Sequence, residues 1–282
     1  MGIFSISNFR VRRNAFIALA TLPIWLSACT PSAQQKTRAC EWAPVASDNF
    51  KTSGSPNSHF WIHETGGDGW GNHELQNYTA SVENSRVVDQ KLVIEARHDR
   101  SGYSSARLRS AQAWTYGRFD IRSKLPHGRG LWPAIWLIAE KKNYGDSYWP
   151  DNGELDIMEN VGFSPNLVFG TAHSKKHNVF NHSERGKAVF VPDAENEFHK
   201  YSIIWLPKKI EYLVDDSVYF RINRNGEDWQ TWPYDKPFVL VVNLAVGGDL
   251  GGQKGVDESI FPARFELESV TVSAAKNLAC GQ

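Results

Sequence analysis

Hydrophobic and polar residues alternate with a period of two, rather than 3.6, along almost the whole chain from Cys40 onward. This alternation is typical of β-strands that bury one face. Two pairs of such segments, each joined by a short polar turn, predict β-hairpins. The pairs are residues 86–88 with 92–96, and 209–214 with 218–222.

Seven further segments have the same strand character, and clusters of Gly, Pro, Asn and Asp separate them. These segments are residues 116–125, 131–139, 153–161, 167–173, 200–206, 238–246 and 264–273. No segment has the pattern of an amphipathic helix. Short strands without crossover helices indicate an all-β fold with antiparallel sheets. We expect one domain over residues 40–282, a two-sheet β-sandwich of the jelly-roll kind.

The first 28 residues have a different pattern and resemble a secretory signal. Three Arg residues precede an apolar run over residues 15–26, and no acidic residue occurs before Cys29. The run is shorter than the roughly 20 residues that a membrane-spanning helix needs. It ends in Leu-Ser-Ala-Cys, which resembles the bacterial lipobox, in which the Cys receives lipid after cleavage.

We therefore predict a lipoprotein signal peptide over residues 1–28, lipidation of Cys29 and a flexible tether over residues 29–39. Ordinary cleavage, with an unmodified Cys29, is the alternative. The prediction implies export and a lipid anchor in the bacterial cell envelope, at the outer membrane or the cell surface.

The charge of the chain argues against a polyanionic partner. The sequence has 31 Lys and Arg against 31 Asp and Glu, and removing residues 1–28 with their three Arg leaves 28 basic side chains and a formal charge of −3. Basic residues form no stripe, so nucleic acid is not an expected partner. We expect a monomer. The 11 Trp and 9 Tyr are more than a core of this size requires, so the chain is unusually rich in rigid, amphipathic aromatic residues.

Two cysteines remain besides Cys29, and they bracket the predicted domain. Cys40 and Cys280 are expected to form a disulfide bond in an exported protein. Two reduced, unpaired cysteines are the alternative.

Candidate catalytic residues are concentrated in the segment Glu-Leu-Asp-Ile-Met-Glu at residues 154–159. In a regular strand Glu154 and Asp156 share one face and Glu159 faces the core, where an ionised carboxylate is costly. One bulged residue near Ile157 would return Glu159 to the face of the other two. A purely structural strand should avoid three adjacent like charges, because they raise one another's pKa.

The spacing of the two glutamates favours a retaining glycosidase. Four pleat steps place their Cα atoms ~13 Å apart, and side chains that lean inward reduce the carboxyl separation to ~5–6 Å. Retaining enzymes use this separation, whereas inverting enzymes need a wider gap. A solvated acidic edge with accidental spacing is the alternative on this motif alone.

The segment resembles the bulged active-site strand of glycoside hydrolase family 16, in the form found in laminarinase-type endo-β-1,3-glucanases. Other segments resemble the motifs of this family in the same order along the chain. They are residues 70–78 (WGNHELQNY), 103–108 (YSSARL), 116–126 (YGRFDIRSKLP), 130–136 (GLWPAIW) and 243–248 (NLAVGG). The resemblance implies a concanavalin A-like jelly roll and hydrolysis of β-1,3-glucan, with mixed β-1,3/1,4-glucan as a further substrate.

The resemblance also implies roles for individual residues. Glu154 would be the nucleophile, Asp156 the assisting residue and Glu159 the general acid/base. Flat indole faces pack well against pyranose rings, and a few polar groups fix the orientation of the sugar. The resemblance implies that Trp132, Trp136, Arg107 and His173 bind substrate, with core packing as the alternative for the two Trp residues. Trp149 and Asn72 are further candidates, and a structural hydrogen-bond role is the alternative for Asn72.

Members of this family often bind a calcium ion on the convex face, and the resemblance points to Glu268 as a ligand here. The match is incomplete, because Asn49 replaces the usual Glu and Glu268 replaces the usual Asp. Oxygen ligands for a structural Ca²⁺ remain. The chemistry itself is expected to need no cofactor.

Two alternatives to a β-1,3-glucanase remain at this point. One is a hydrolase of another algal polysaccharide, sulfated or galactose-based, which would favour a cleft richer in Arg and Lys. The other is a glucan-binding protein without catalysis, which would have no need of adjacent like charges at Glu154 and Glu159.

Overall fold

The computed structural model describes residues 40–226, 228–277 and 280. The predicted signal peptide, Cys29 and the tether up to residue 39 lie outside the described residues. The described strands form two antiparallel-rich sheets, which pack face to face as an open sandwich. The all-β sandwich predicted from the alternation is therefore confirmed.

The larger sheet contains ten of the described strands, in the order β15-β14-β13-β8-β17-β5-β6-β3, with β1 beside β17 and β4 beside β5. All of its pairs are antiparallel except β3 with β6. Its strands are β1 (Trp42–Asp48), β3 (Gln76–Tyr78), β4 (Ser85–Val88), β5 (Lys91–Asp99), β6 (Gly102–Ser105), β8 (Gly117–Lys124), β13 (His199–Leu206), β14 (Lys209–Val214), β15 (Ser217–Asn223) and β17 (Ala263–Ala275).

The smaller sheet contains seven of the described strands, in the order β12-β11-β10-β9-β16-β7-β2. Its strands are β2 (Trp61–Glu64), β7 (Arg107–Trp114), β9 (Leu131–Ala139), β10 (Glu154–Glu159), β11 (Leu167–His173), β12 (Arg185–Phe190) and β16 (Phe238–Val246). All nine residues of β16 are buried, so this strand is covered on both faces.

Helical structure in the described residues is limited to single turns. They are the α-helical turn α1 (Gly248–Gly251) and the 3₁₀ turns Asp68–Gly71, Val179–Asn181 and Glu258–Ile260. None of the helices in the described part of the chain has the length and apolar character that crossing a membrane requires.

The two predicted hairpins are present, and their turns explain their tightness. Asp89 and Gln90 join β4 to β5 with φ values of 51° and 56°, and Asp215 and Asp216 join β14 to β15 with φ values of 46° and 65°. Two successive positive φ values are characteristic of the two-residue turns whose twist matches that of paired strands.

The core between the sheets is built from large apolar side chains of both layers. Trp205 of the larger sheet contacts Phe238 of the smaller one, with ring centroids 5.1 Å apart, and both side chains are fully buried. Leu155, Ile157 and Met158 belong to the same core. Strand β10 is therefore held on its inner face, which fixes its outer face relative to the neighbouring strands.

The predicted disulfide is confirmed. Cys40 and Cys280 are bonded, with their Cα atoms 5.2 Å apart. Close by, β1 pairs with the second half of β17, from Trp42 opposite Ala275 to Asp48 opposite Val270. The bond therefore closes almost the whole described chain where its first and last strands meet.

Candidate active site

The three carboxylates of β10 reach one face of the sheet through a bulge. Asp156 lies opposite Trp136 of β9 but Met158 lies opposite Ile135, so one residue of β10 is unmatched between them. Ile157 and Met158 are both buried in the core. Two consecutive inward side chains return Glu159 to the outer face, as the high cost of burying a glutamate in the core predicts.

A histidine from the neighbouring strand lies against this cluster. His173 of β11 is directly opposite Glu154. Its Nε2 atom is 3.1 Å from Oδ2 of Asp156 and 3.9 Å from Oε1 of Glu154. The side chain of Asp156 is 5 % exposed and that of Glu154 is 17 % exposed, so the outer glutamate is the more open to a ligand.

Burial and mutual repulsion keep protons on this cluster at neutral pH. Burial raises the pKa of each of Glu154, Asp156 and Glu159 to about 8. The charge of Asp156 raises the pKa of both glutamates further, and His173 partly opposes this effect. Three carboxylates in one dry site cannot all be ionised together, so one of them can hold a proton for a leaving group.

Trp132 of β9 is bonded to Glu159. Its indole Nε1–H donates a hydrogen bond to Oε1 of Glu159 over 2.9 Å. The turn α1 packs behind the indole, and a side chain at Gly251 would put its Cβ only 2.8 Å from the Cβ of Trp132. The glycines that follow β16 therefore allow the close approach that fixes Trp132. The predicted cleft residue also orients the predicted general acid/base.

Arg107 of β7 is held between two indole rings. The centre of its guanidinium lies 4.6 Å from the ring of Trp136 and 4.7 Å from that of Trp70. Its Nε donates to Oε2 of Glu64 over 2.6 Å. Such stacking and pairing leave a planar cation little freedom, so Arg107 presents a fixed edge. A cavity of about 470 Å³ opens beside it, and Tyr148 contributes to its wall.

A chain of hydrogen bonds links Asn72 to Trp136, the indole on which Arg107 stacks. Asn72 donates to Oε1 of Glu74 over 3.1 Å, and the Tyr78 hydroxyl donates to Oε2 of the same carboxylate over 3.1 Å. Asn243 donates to the Tyr78 oxygen over 3.0 Å and accepts the indole N–H of Trp136 over 2.8 Å. Asn72 is therefore connected to Trp136 through hydrogen bonds that begin at Glu74.

Trp149 lies close to His173 of the neighbouring strand β11. Its ring centroid is 5.9 Å from that of His173. The loop that carries it is held by Asn152, whose amide donates to the backbone oxygens of Tyr144 and Tyr148 over 3.0 Å each. Among the predicted cleft residues, Trp132 is bonded to Glu159, Trp136 and His173 lie opposite Asp156 and Glu154, and Trp149 packs near His173. Arg107 and Asn72 are linked to this strand less directly, by stacking on Trp136 and by the hydrogen bonds through Glu74.

Clusters of acidic and histidine side chains are the places where this protein could hold a metal ion. Glu154, Asp156 and His173 offer ligand atoms within 4.8 Å of one another, the one such group found among the described residues. The predicted calcium ligand Glu268 instead forms an ion pair with Arg122, with 2.6 Å from Nε to Oε2. Both oxygens of nearby Asp48 accept hydrogen bonds from Phe50 N–H and Trp61 Nε1. Glu268 is thus paired with a cationic side chain in this structure, and a calcium ion at this position stays a prediction.

Sequence reasoning missed two contributors to the site. Glu64 lies at the end of β2, directly opposite Arg107, and that pairing joins segments 43 residues apart. Trp70 is part of a recognised motif, but only the folded chain shows that its ring stacks on Arg107. The sequence gives one indication of Glu64, which is that an acidic residue stands at the end of an alternating segment.

Comparisons with known proteins agree with this geometry. The sequence profile of "Glycosyl hydrolases family 16" matches residues 72–260. The "Beta-glucanase" of Rhodothermus marinus is 46 % identical over 273 residues, which cover 93 % of this chain and 94 % of that protein.

Two solved structures illustrate the structural similarity. The laminarinase from Rhodothermus marinus has a TM-score of 0.83 at 47 % identity, over 85 % of this chain and 100 % of that one. SCLam, a non-specific endo-β-1,3(4)-glucanase, has a TM-score of 0.79 at 36 % identity, over 83 % of this chain and 92 % of that one. From the profile match, these relatives and the bulged carboxylate strand, it follows that this chain belongs to glycosyl hydrolase family 16.

Proposed function

We propose that this protein is an endo-acting hydrolase of β-1,3-glucan that retains the anomeric configuration and also accepts mixed β-1,3/1,4-glucan. The observation that carries the proposal is the bulge of β10, which puts Glu154, Asp156 and Glu159 on one outer face beside His173. A protein that only binds glucan has no use for three buried like charges, because they cost stability.

In the first step Glu154 attacks the anomeric carbon while Glu159 protonates the departing glycosidic oxygen. The bond from that carbon to the leaving oxygen breaks as the bond to the Glu154 carboxylate forms, and the proton leaves Glu159. Burial raises the pKa of both Glu154 and Glu159 to about 8, and repulsion between neighbouring carboxylates prevents them from ionising together. Glu154 is the carboxyl group that gives up its proton and attacks, and Glu159 is the one that keeps its proton for the leaving oxygen.

In the second step Glu159, now ionised, accepts a proton from water. The resulting hydroxide attacks the anomeric carbon, the ester to Glu154 breaks, and both carboxyl groups return to their starting states. The indole N–H of Trp132 stabilises the ionised form of Glu159 during this step, because it donates a hydrogen bond to that carboxylate. His173 and Asp156 lie beside Glu154, where they hold the nucleophile in position.

A neutral glucan suits the cleft better than a sulfated sugar. Glu64 pairs with Arg107 at 2.6 Å and with Arg109 at 3.6 Å, so one carboxylate partly neutralises both cations. The indoles of Trp132, Trp136 and Trp149 offer apolar faces that fit pyranose rings. The relatives support the same substrate class, since one is called a laminarinase and another a non-specific endo-β-1,3(4)-glucanase.

Purified protein should be tested on laminarin, lichenan, agarose and carrageenan by release of reducing sugars. We expect rapid release from laminarin, slower release from lichenan and none from the other two. NMR of the first product from laminarin should show a β-reducing end. Activity confined to agarose or carrageenan, or no activity on any of the four, would contradict the proposal.

We also propose that the mature protein is a monomer held on the bacterial envelope by lipid on Cys29. The proposal rests on the sequence Leu-Ser-Ala-Cys at residues 26–29 and on the polar stretch that follows. Mass spectrometry of protein extracted from membranes should give an N-terminus at Cys29 with acyl chains. Cys29→Ser should release the protein into the soluble fraction with its activity unchanged.

A further inference from the structure

Phe180 is an aromatic side chain that the catalytic mechanism does not use, and it is 75 % exposed. Its neighbour Val179 is 46 % exposed. Both residues belong to the 3₁₀ turn Val179–Asn181, in the connection that follows β11. A single exposed apolar residue is common on protein surfaces, but here Val179, Phe180 and the ring of Trp149 lie together, and contiguous apolar surface of this kind is typical of binding sites.

The ring of Phe180 continues an aromatic path that begins at the catalytic carboxylates. His173 is 3.1 Å from Asp156, and the ring of Trp149 is 5.9 Å from that of His173. Phe180 then packs edge-on against Trp149, with centroids 5.2 Å apart and planes at 87°. The exposed face of Phe180 is therefore continuous with the wall of the active-site cleft.

The turn that presents Phe180 is rigidly built. Asn178 is 2 % exposed, and its amide nitrogen donates to the backbone oxygens of Ser174 and Lys175 over 3.0 and 2.9 Å. Its amide oxygen accepts the backbone N–H of Phe180 over 3.0 Å. All of these bonds to the side chain of Asn178 involve main-chain groups, so replacing the ring of Phe180 removes none of them.

An ion pair also links this segment to the loop that carries Trp149. Nζ of Lys175 is 3.1 Å from Oδ2 of Asp151, which is 5 % exposed and lies two residues after Trp149. The two aromatic residues are therefore tied to each other through side-chain packing and through this pair. Such fixed aromatic surfaces bind ligands without a large loss of conformational entropy.

We propose that Phe180, with Trp149, forms a distal sugar-binding subsite that recognises a β-1,3-glucan chain extending beyond the catalytic centre. The proposal rests on the proposed glucanase function and adds to it the residue that makes the enzyme prefer long chains. The exposed ring would pack against the C–H face of one pyranose unit, as aromatic side chains do against flat apolar surfaces.

The test compares chain lengths rather than a single activity. For wild type, Phe180→Ala, Phe180→Trp and Val179→Ala, kcat/KM should be measured on a series of β-1,3-gluco-oligosaccharides from three to eight sugars and on laminarin. Wild type is expected to show a rise in kcat/KM at the length that reaches the subsite. Phe180→Ala should lower the ratio of long-chain to short-chain kcat/KM about 5- to 10-fold, mainly through KM.

The control variants separate sugar binding from loop structure. Phe180→Trp should keep the preference for long chains, because it keeps an aromatic face. Val179→Ala changes the same turn without touching the ring and should match wild type at every length. Melting temperatures close to that of wild type would show that the turn is intact in all three variants.

Several outcomes would overturn the proposal. Wild type and Phe180→Ala could have the same chain-length dependence while both hydrolyse laminarin, which would leave the glucanase function intact and remove the subsite. A Val179→Ala loss equal to that of Phe180→Ala would assign the effect to the turn. A dimer that dissociates in Phe180→Ala, without a change in chain-length dependence, would assign the ring to an interface between two copies. Absence of laminarin hydrolysis by wild type would instead refute the proposed function.

Discussion

Trp132 donates its indole N–H to Glu159 over 2.9 Å, which joins the cleft wall directly to the proposed general acid/base. Burial raises the pKa of Glu159, whereas this bond favours the ionised form and lowers it. The pKa of Glu159 is therefore set by two opposing effects, burial away from water and the hydrogen bond from Trp132. The same bond also orients the carboxylate of Glu159.

Trp132→Phe keeps an aromatic face and removes this donor. We expect kcat to fall roughly 10- to 100-fold, since a charge-assisted bond of roughly 1.5–3 kcal/mol is lost. The pKa of Glu159 should rise, so the alkaline limb of the kcat profile should move to higher pH. Rates on laminarin between pH 5 and 10 measure both effects. Trp149→Phe, which alters a ring against His173 instead, should leave the alkaline limb in place.

The separate roles of the two glutamates can be assigned by chemical rescue. Glu154→Ala should lose nearly all activity and recover part of it with azide, which fills the space of the carboxylate and gives an α-glycosyl azide. Glu159→Ala should still react with activated aryl glycosides, whose leaving groups need little protonation, and azide should then give the β-product. NMR of the azide adducts identifies each anomer. Rescue of Glu159→Ala to the α-adduct would reverse the assignment.

The carboxylate cluster also makes a prediction about stability. Burial raises the pKa of Asp156 from 3.8 to about 8. The folded protein therefore binds more protons than the unfolded chain between about pH 4 and 8, and its free energy of unfolding falls as the pH rises through this range. Asp156→Asn removes the group that becomes charged. The change that it causes in the free energy of unfolding should therefore be more favourable at pH 9 than at pH 5, by roughly 2–4 kcal/mol.

Urea unfolding at pH 5 and pH 9 measures this difference, and Asp216→Asn is the matched control. Hydrogen bonds from Lys200 and Arg118 hold the pKa of Asp216 below its usual value. The stabilisation that ionised Asp216 provides is fully present at pH values above the usual pKa of an aspartate and is lost only at lower pH. The effect of Asp216→Asn on the free energy of unfolding should therefore be the same at pH 5 and pH 9. Equal effects of Asp156→Asn at the two pH values would contradict the account of the cluster.

Local patterns were sufficient to predict the catalytic strand, because the physical penalty is local. A third carboxylate after Ile157 and Met158 must either enter the core or be displaced by a bulge, and the sequence alone shows this conflict. The role of Trp132 as a donor to Glu159 could not be read in the same way. Alternation assigns the indole to a face, but its rotamer depends on the packing of α1, which lies more than 100 residues later in the chain.

Several strands were not predicted from the sequence, and the physical reason differs from one strand to the next. Strand β1 contains Pro44, which interrupts the alternation, and its register shifts next to that residue. Strand β12 is an edge strand in which no residue is fully buried, so burial leaves a weak pattern in it. Strands β2 and β7 are paired across the chain, and their contribution of Glu64 and Arg107 to one site follows from that long-range register.

The disulfide between Cys40 and Cys280 predicts a large effect of reduction on stability. The bond closes a loop with a sequence separation of 240, and the chain-entropy model gives about 5 kcal/mol for a loop of this size. The double variant Cys40→Ser/Cys280→Ser should therefore unfold at a markedly lower urea concentration than oxidised wild type. Its activity at low temperature should be similar to that of wild type, because the bond is remote from β10 in the chain. Reduction of wild type should reproduce the shift, whereas the double variant should not respond to the reductant. A reductant-induced shift of equal size in the double variant would show that the effect comes from elsewhere in the protein.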